Sequence, residues 1–240
     1  MRFLFIALIC LVPLPEVAVK ATPFAETIKG LDISFKMMPV QTEEELFWIA
    51  RTELTWDLYD KYLQLVNSSE NLHAGIDAIT GPTPAYALVD RGYGRQGYPA
   101  ISMSAKAAEA FCKWLSNETG RTYNIPTIEQ WKMADANGGT TWNKETAENK
   151  THPVTSSTPN ELGIFDMRGN VGEWVLTKDG PRVIGGSFRT PPEKLGRLSL
   201  LTPKKAWNET DPQLPRSPWW LADADFVGMR LVTKDGEKNE

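Results

Sequence analysis

The sequence predicts a loop-rich α+β domain, and three observations predict it. Helical periodicities concentrate in the first half of the chain, while short apolar runs bounded by Gly and Pro dominate the second, an order that suits an α+β unit. The 240 residues suffice for one sizeable core and are too few for two ordinary domains. Nine Trp, 17 Pro and 18 Gly in an otherwise ordinary composition favour a loop-rich domain with aromatic plugs over a helical bundle.

Taken in order, the first 21 residues read as a secretory signal. Arg2 is the positive start, Phe3 to Val12 the apolar stretch, and Val19-Lys20-Ala21 a small-residue cleavage site. The apolar stretch is too short to cross about 30 Å of hydrocarbon, and Pro13, Pro15 and Glu16 break any continuation of it. Ile9 precedes Cys10 where a lipid-modified cysteine would want a small neighbour. We therefore expect cleavage and release into a secreted or periplasmic setting, no stable membrane span, and a single domain over residues 22–240. That domain keeps one cysteine, Cys112, so it has no internal disulfide. The formal charge is −4 with no basic block, which gives nucleic acid no electrostatic footprint.

Ile33 to Val40 and Leu46 to Ile49 read as two short strands around Glu43-Glu44-Glu45. Thr55 can cap a helix running to about Val66, where Leu58, Tyr62 and Val66 recur on one face. Residues 71–99 come next as a long loop punctuated by Pro82, Pro84, Gly92, Gly94, Gly97 and Pro99, and a loop of that length is often a functional surface. Ser104 caps a second helix whose inner stripe is Ala108, Phe111, Cys112 and Leu115, with Gly120 as its stop. Thr127 and Gln130 form a capping-box pattern for a third helix ending near Gly138-Gly139. Arg182 to Phe188 and Phe226 to Val232 read as later strands.

Five segments, in order, resemble the formylglycine-generating-enzyme, or sulfatase-modifying-factor, family. Phe47 to Thr55 (FWIARTELT) looks like its opening strand and "EVT" helix start. Gly120 to Trp131 (GRTYNIPTIEQW) resembles its GRxYRLPTEAEWE block, although Asn124 and Ile128 depart from the usual Arg and Glu. Gly163 to Val175 (GIFDMRGNVGEWV) looks like GLYDMxGNVWEWV, with Gly172 in place of a Trp. Arg182 to Phe188 (RVIGGSF) and Gly228 to Val232 (GMRLV) resemble RVxRGGSW and GFRLV. The resemblance implies a variant of the C-type-lectin-like fold with low regular secondary structure. Members differ in activity, so the fold alone does not fix function.

The resemblance also implies sites. The family's oxidase binds copper through two cysteines beyond the GGS motif, the first at the third residue after its Ser. Here Ser187 is kept, a family remnant that in isolation reads as a turn residue. Thr190 and Leu195 stand where the cysteines would fall, and no cysteine occurs after Cys112. Soft Cu(I) wants thiolates, so copper is not expected. A three-histidine iron site is excluded within one chain, because the only histidines are His73 and His152. Cys112 falls on the apolar stripe of the second helix and reads as a buried small hydrophobe rather than a nucleophile.

Calcium is the better-supported ion. The family site implied for the GNVWEW loop corresponds to Asp166, Gly169, Val171 and Glu173, two carboxylates and two backbone carbonyls, which can start a six- to eight-oxygen shell. The alternative is that Asp166 and Glu173 only hydrogen-bond loop amides. A second family ion site would lie between Gly139 and Pro153, in a stretch that is shortened here. Trp219 and Trp220 fit either a ligand-stacking surface or core aromatics. The expected function is an ion-stabilised domain that binds an unknown protein or small-molecule ligand. The alternative is an oxidoreductase of the same family, acting on protein cysteine or by related non-heme metal oxidation.

Overall fold

In the computed structural model, the structure describes residues 21–67, 89–195 and 199–236. The expected signal segment up to residue 20, most of the 71–99 loop and His73 lie outside the described residues. Among the described residues, eight short strands and four helices are linked by irregular stretches. Strands β1 (Phe24–Thr27), β2 (Ser34–Gln41) and β3 (Leu46–Ala50) form an antiparallel meander. Helices α1 (Trp56–Val66) and α2 (Ala105–Thr119), strand β4 (Tyr123–Asn124) and helix α3 (Ile128–Ala134) come after it. Then come β5 (Gly172–Thr177), β6 (Gly180–Ile184), α4 (Pro192–Leu195), a 3-10 turn at Lys205–Asn208, β7 (Val227–Gly228) and β8 (Val232–Thr233). One sheet has the order β1-β2-β3-β8-β4 and the other β6-β5-β7. Helix and strand mix with little regular structure, as the resemblance implies.

Local signals set the helices where the sequence carries them. Ser104 Oγ accepts from the Ala107 N–H (3.1 Å), Gly120 ends α2 in the left-handed region (φ 65°), and Ala108, Phe111, Cys112 and Leu115 are all buried. The capping box at α3 is complete: Thr127 accepts from the Gln130 N–H, and Gln130 accepts from the Thr127 N–H. Thr55 sits at the start of α1, but its side chain makes no capping hydrogen bond. Its backbone instead forms a bridge with Pro99, and the Trp56 N–H reaches the Tyr98 carbonyl at 3.0 Å.

Two expected elements end early. Helix α3 stops at Ala134 rather than near Gly138, and Asp135, just past its end, is held by Arg168 Nε at 2.9 Å. The strand expected from Arg182 leaves the sheet at Ile184, because Gly185 and Gly186 turn the chain at φ 93° and 73°. The run Phe226 to Val232 is not one strand. It pairs with β5 at Val227–Gly228, crosses between the sheets through Met229, Arg230 and Leu231, and re-pairs as β8 with β3 and β4. Carbonyls of Met229 and Leu231 receive the N–H groups of Leu54 and Ala50, which stitch the crossover to the end of β3.

Around these elements lies an aromatic core. Tyr59 and Tyr62 of α1 pack on Phe111 of α2 at 5.8 and 5.3 Å, and Trp220 lies against Trp56 and Tyr59. Trp219 and Trp220 are 3% and 0% exposed, so the pair belongs to the core and offers no open stacking face.

Candidate functional site

The crossover between the sheets brings four charged side chains together inside the protein. Glu53 lies just beyond β3, Asp166 and Glu173 come from the loop before β5 and from β5 itself, and Arg230 comes from the crossover. All four are buried. Glu173 and Arg230 pair through Oε1 and Nη2 at 2.6 Å, with Nε at 3.0 and 3.1 Å from the two carboxylate oxygens. Trp131 Nε1–H donates to Glu173 Oε2 at 2.7 Å. The guanidinium completes its bonds on the carbonyls of Ala50 (2.9 Å) and Phe165 (2.8 Å).

The other two carboxylates are not satisfied in this way. Neither Asp166 oxygen receives a well-formed hydrogen bond, and Glu53 Oε2 has none. Glu53 Oε1 accepts from Asn170 Nδ2 at 3.1 Å, and Asn170 is otherwise spent on the backbone of His152. Burial pushes the Asp166 carboxyl up to about 7, and the Glu173 charge adds to it, while Ser157 and Arg230 oppose it. Burial, then the Asp166 charge, hold the Glu53 carboxyl well above the usual carboxylate range. Three buried carboxylates face one guanidinium, so ionising Asp166 or Glu53 would leave buried negative charge that no described side chain compensates. Orphaned oxygens of this kind suit a bound cation or ordered water.

The loop that carries Asp166 is built around tight backbone. Asp166 and Asn170 have φ of 52° and 49°, and Gly169 has φ 84°. A Cβ at Gly169 would lie 2.4 Å from the Trp142 carbonyl oxygen, so no other residue fits there. Gly172 opens β5, where a Cβ would meet Val183 Cγ1 at 2.6 Å; the valine fills the space that the family's Trp would need. Asp166 also faces a polar cleft of about 180 Å³, lined among others by Asn137, Thr140, Thr141, Thr158 and Asn160.

Of the four positions expected for an ion, Asp166 therefore offers free oxygens, whereas the Glu173 carboxylate is taken by Arg230 and Trp131. Glu53, read in the sequence only as part of a helix start, supplies the second unpaired carboxylate. Its neighbours lie more than 100 residues away, so no local pattern marks it. Among the described residues, no three His, Cys, Asp or Glu side chains gather into a metal-binding cluster. An ion bound here would be left with the Asp166 and Glu53 carboxylates and backbone carbonyls as its donors.

The GGS turn is structured differently. Ser187 is buried, its Oγ accepts from the Arg189 N–H at 3.2 Å, and its N–H donates to Thr190 Oγ1 at 2.9 Å. Both hydroxyls thus close a turn. Leu195 is buried on α4. Cys112 is buried within α2, and burial holds its thiol far above the usual range. Thiolate copper chemistry does not fit this donor set. His152 stacks on Trp142 at 3.8 Å and lies 3.1 Å from the Ala147 carbonyl, so it is a packed loop residue rather than a solvated one.

The profile of the sulfatase-modifying factor enzyme 1-like domain matches residues 16–201. Among solved structures, 41 chains match. Treponema denticola variable protein 1 has 16% identity and a TM-score of 0.60, covering 90% of this chain and 100% of that one. PvdO from Pseudomonas aeruginosa has 17% identity and a TM-score of 0.56, covering 91% and 100%. CarF has 21% identity and a TM-score of 0.51, covering 81% and 88%. At these identities the likeness is one of fold. No curated protein sequence matches the chain.

Proposed function

The chain belongs to the sulfatase-modifying factor enzyme 1-like family, and within it we propose an exported, ion-stabilised domain that binds a small-molecule or protein ligand and does not carry out copper-dependent oxidation. The observation that carries this reading is the donor set beyond the GGS motif. Thr190 uses its hydroxyl in the turn, Leu195 has no donor atom, and the lone cysteine of the domain is enclosed in α2.

Calcium is the proposed ion. Asp166 and Glu53 would hold it with unpaired carboxylate oxygens, the carbonyls of Gly169 and Val171 would add to the shell, and water would fill the rest. Glu173 acts beside them by holding Arg230. The ion would neutralise the surplus negative charge and lock the loop before β5. Export rests on the charged start, apolar stretch and Ala21 cleavage site; among the described residues, no helix is long and apolar enough to cross a membrane.

Metal analysis of the exported protein, whose N-terminus should be Thr22, tests the reading. About one calcium per chain, with no copper or iron, supports it. Copper held in stoichiometric amount by the purified protein would overturn it.

A further inference from the structure

A second cavity, of about 310 Å³, opens beside the GGS turn and shares no lining residue with the Asp166 cleft. Its volume is at the lower end for small-ligand pockets. The lining divides by chemistry. Arg189 and Lys194 bring positive charge, Thr190 and Ser199 bring hydroxyls, and Leu195 and Leu201 bring apolar surface. No carboxylate lines it among the described residues.

Arg189 is held in place from outside the cavity. Its Nη2 meets Asp225 Oδ2 at 2.6 Å, Tyr93 Oη–H donates to the same oxygen at 2.9 Å, and the guanidinium lies over the faces of Phe188 and Phe226. A guanidinium fixed by one nitrogen keeps its remaining donors oriented, which lowers the cost of binding a planar anion. Lys194 forms no ion pair among the described residues. With Asp225 set against Arg189, the described lining residues therefore carry one surplus positive charge. That balance matches a monoanion; a phosphate dianion would leave negative charge in excess. Half-exposed Leu201 and buried Leu195 give an apolar wall that a bare inorganic ion would not use.

We infer that this cavity binds a small organic monocarboxylate, its head between Arg189 and Lys194 and its short apolar body against Leu195 and Leu201. This deepens the binding reading above and rests on it. A carboxylate can accept donors from a guanidinium and an ammonium at once, and excluding water from the apolar wall adds affinity in proportion to the area covered.

Hexanoate is the probe, with 1-hexanol and hexylammonium as neutral and cationic controls, titrated into isotopically labelled full-length mature protein and monitored by amide shifts. The expected result is saturable binding of hexanoate alone, with shifts centred on Thr190 and Leu195 and affinity falling as salt rises. Lys194→Glu, on an exposed side chain, should weaken binding at least tenfold while leaving the remaining spectrum intact. Lys194→Arg should retain it. Absence of saturation, equal binding of hexanol, or an unchanged affinity in Lys194→Glu would overturn the inference. Failure of the binding-domain reading would show separately, as copper retention in untreated protein, so the two outcomes are distinguishable.

Discussion

Arg230 and Glu173 form a fully buried, two-point ion pair that joins the two sheets, with Nη2 2.6 Å from Oε1 and Nε bonded to both oxygens. Glu173 stands on β5, and Arg230 stands on the crossover between β7 and β8. Removing one member leaves the other charged and buried, which costs about 3–5 kcal/mol. Arg230→Met and Glu173→Gln should each show that loss in urea unfolding, read as a lower midpoint. The double substitution Arg230→Met with Glu173→Leu should lose much less than the sum. Additive losses would mean that the two side chains do not stabilise the fold through each other.

The pair also marks where the sequence stops being informative. Ser104, Gly120 and the Thr127–Gln130 box act within four residues of themselves, so α2 and the start of α3 are readable from the chain alone. Phe226 to Val232 has the composition of one strand. What splits it is a demand from elsewhere, namely that Arg230 reach Glu173, 57 residues away. The motif blocks single out the Asp166 loop. They do not show that Glu173 is consumed by Arg230 or that Glu53 arrives beside Asp166. The Trp219-Trp220 pair is ambiguous in sequence for the same reason, since only the packing of Trp56 and Tyr59 decides its burial.

Calcium should raise the melting temperature, and chelator should lower it. An ion that binds only the native state stabilises it by about 2.7 kcal/mol at a hundredfold excess over Kd. Asp166→Asn should blunt the response, because neither oxygen of that carboxylate is otherwise held by a well-formed hydrogen bond. Melting curves that coincide with and without chelator, on metal-verified samples, would show that the loop holds no ion.

In metal-free protein the same residue predicts a pH dependence of a definite sign. Burial lifts the Asp166 carboxyl to about 7 in the fold, whereas it returns to about 4 when unfolded. Between those values the native state binds more protons, so stability falls as pH rises through the window, by on the order of a few kcal/mol. Asp166→Asn should flatten that fall and make the metal-free protein more stable than the parent at pH 8. Saturating calcium should reverse the slope, because the ion binds the ionised form. A metal-free parent that gains stability from pH 4 to 7 while Asp166→Asn does not would refute the account.

Cys112 should be inert in the native protein. It is enclosed on the inner face of α2, and burial raises its thiol far above neutrality, so the reactive thiolate is scarcely populated. A thiol reagent should label it slowly until denaturant is added. Native labelling as fast as that of the unfolded chain would mark it as a reactive residue.

The remaining prediction decides function: the mature protein should not convert a sulfatase-type cysteine peptide to formylglycine, even when supplied with Cu(I). The family's reaction needs copper held by two protein thiolates, and soft Cu(I) is not retained by harder donors. Beyond the GGS motif this chain presents Thr190, whose hydroxyl is bonded to the Ser187 N–H, and Leu195, packed in the interior. A shifted alignment does not rescue the site, since residues 113–240 contain no cysteine. Cys112 cannot substitute, because it is a single thiol enclosed in a helix remote in sequence from the turn. Restoring only one thiol, as in Thr190→Cys, should also fail, whereas Thr190→Cys with Leu195→Cys tests whether the scaffold can still host copper. Mass spectrometry of the peptide, with an active relative as positive control, reads the outcome. Oxygen-dependent turnover by the unmodified protein would mean that the chemistry proceeds without the thiolate pair, and the binding-domain reading would fall.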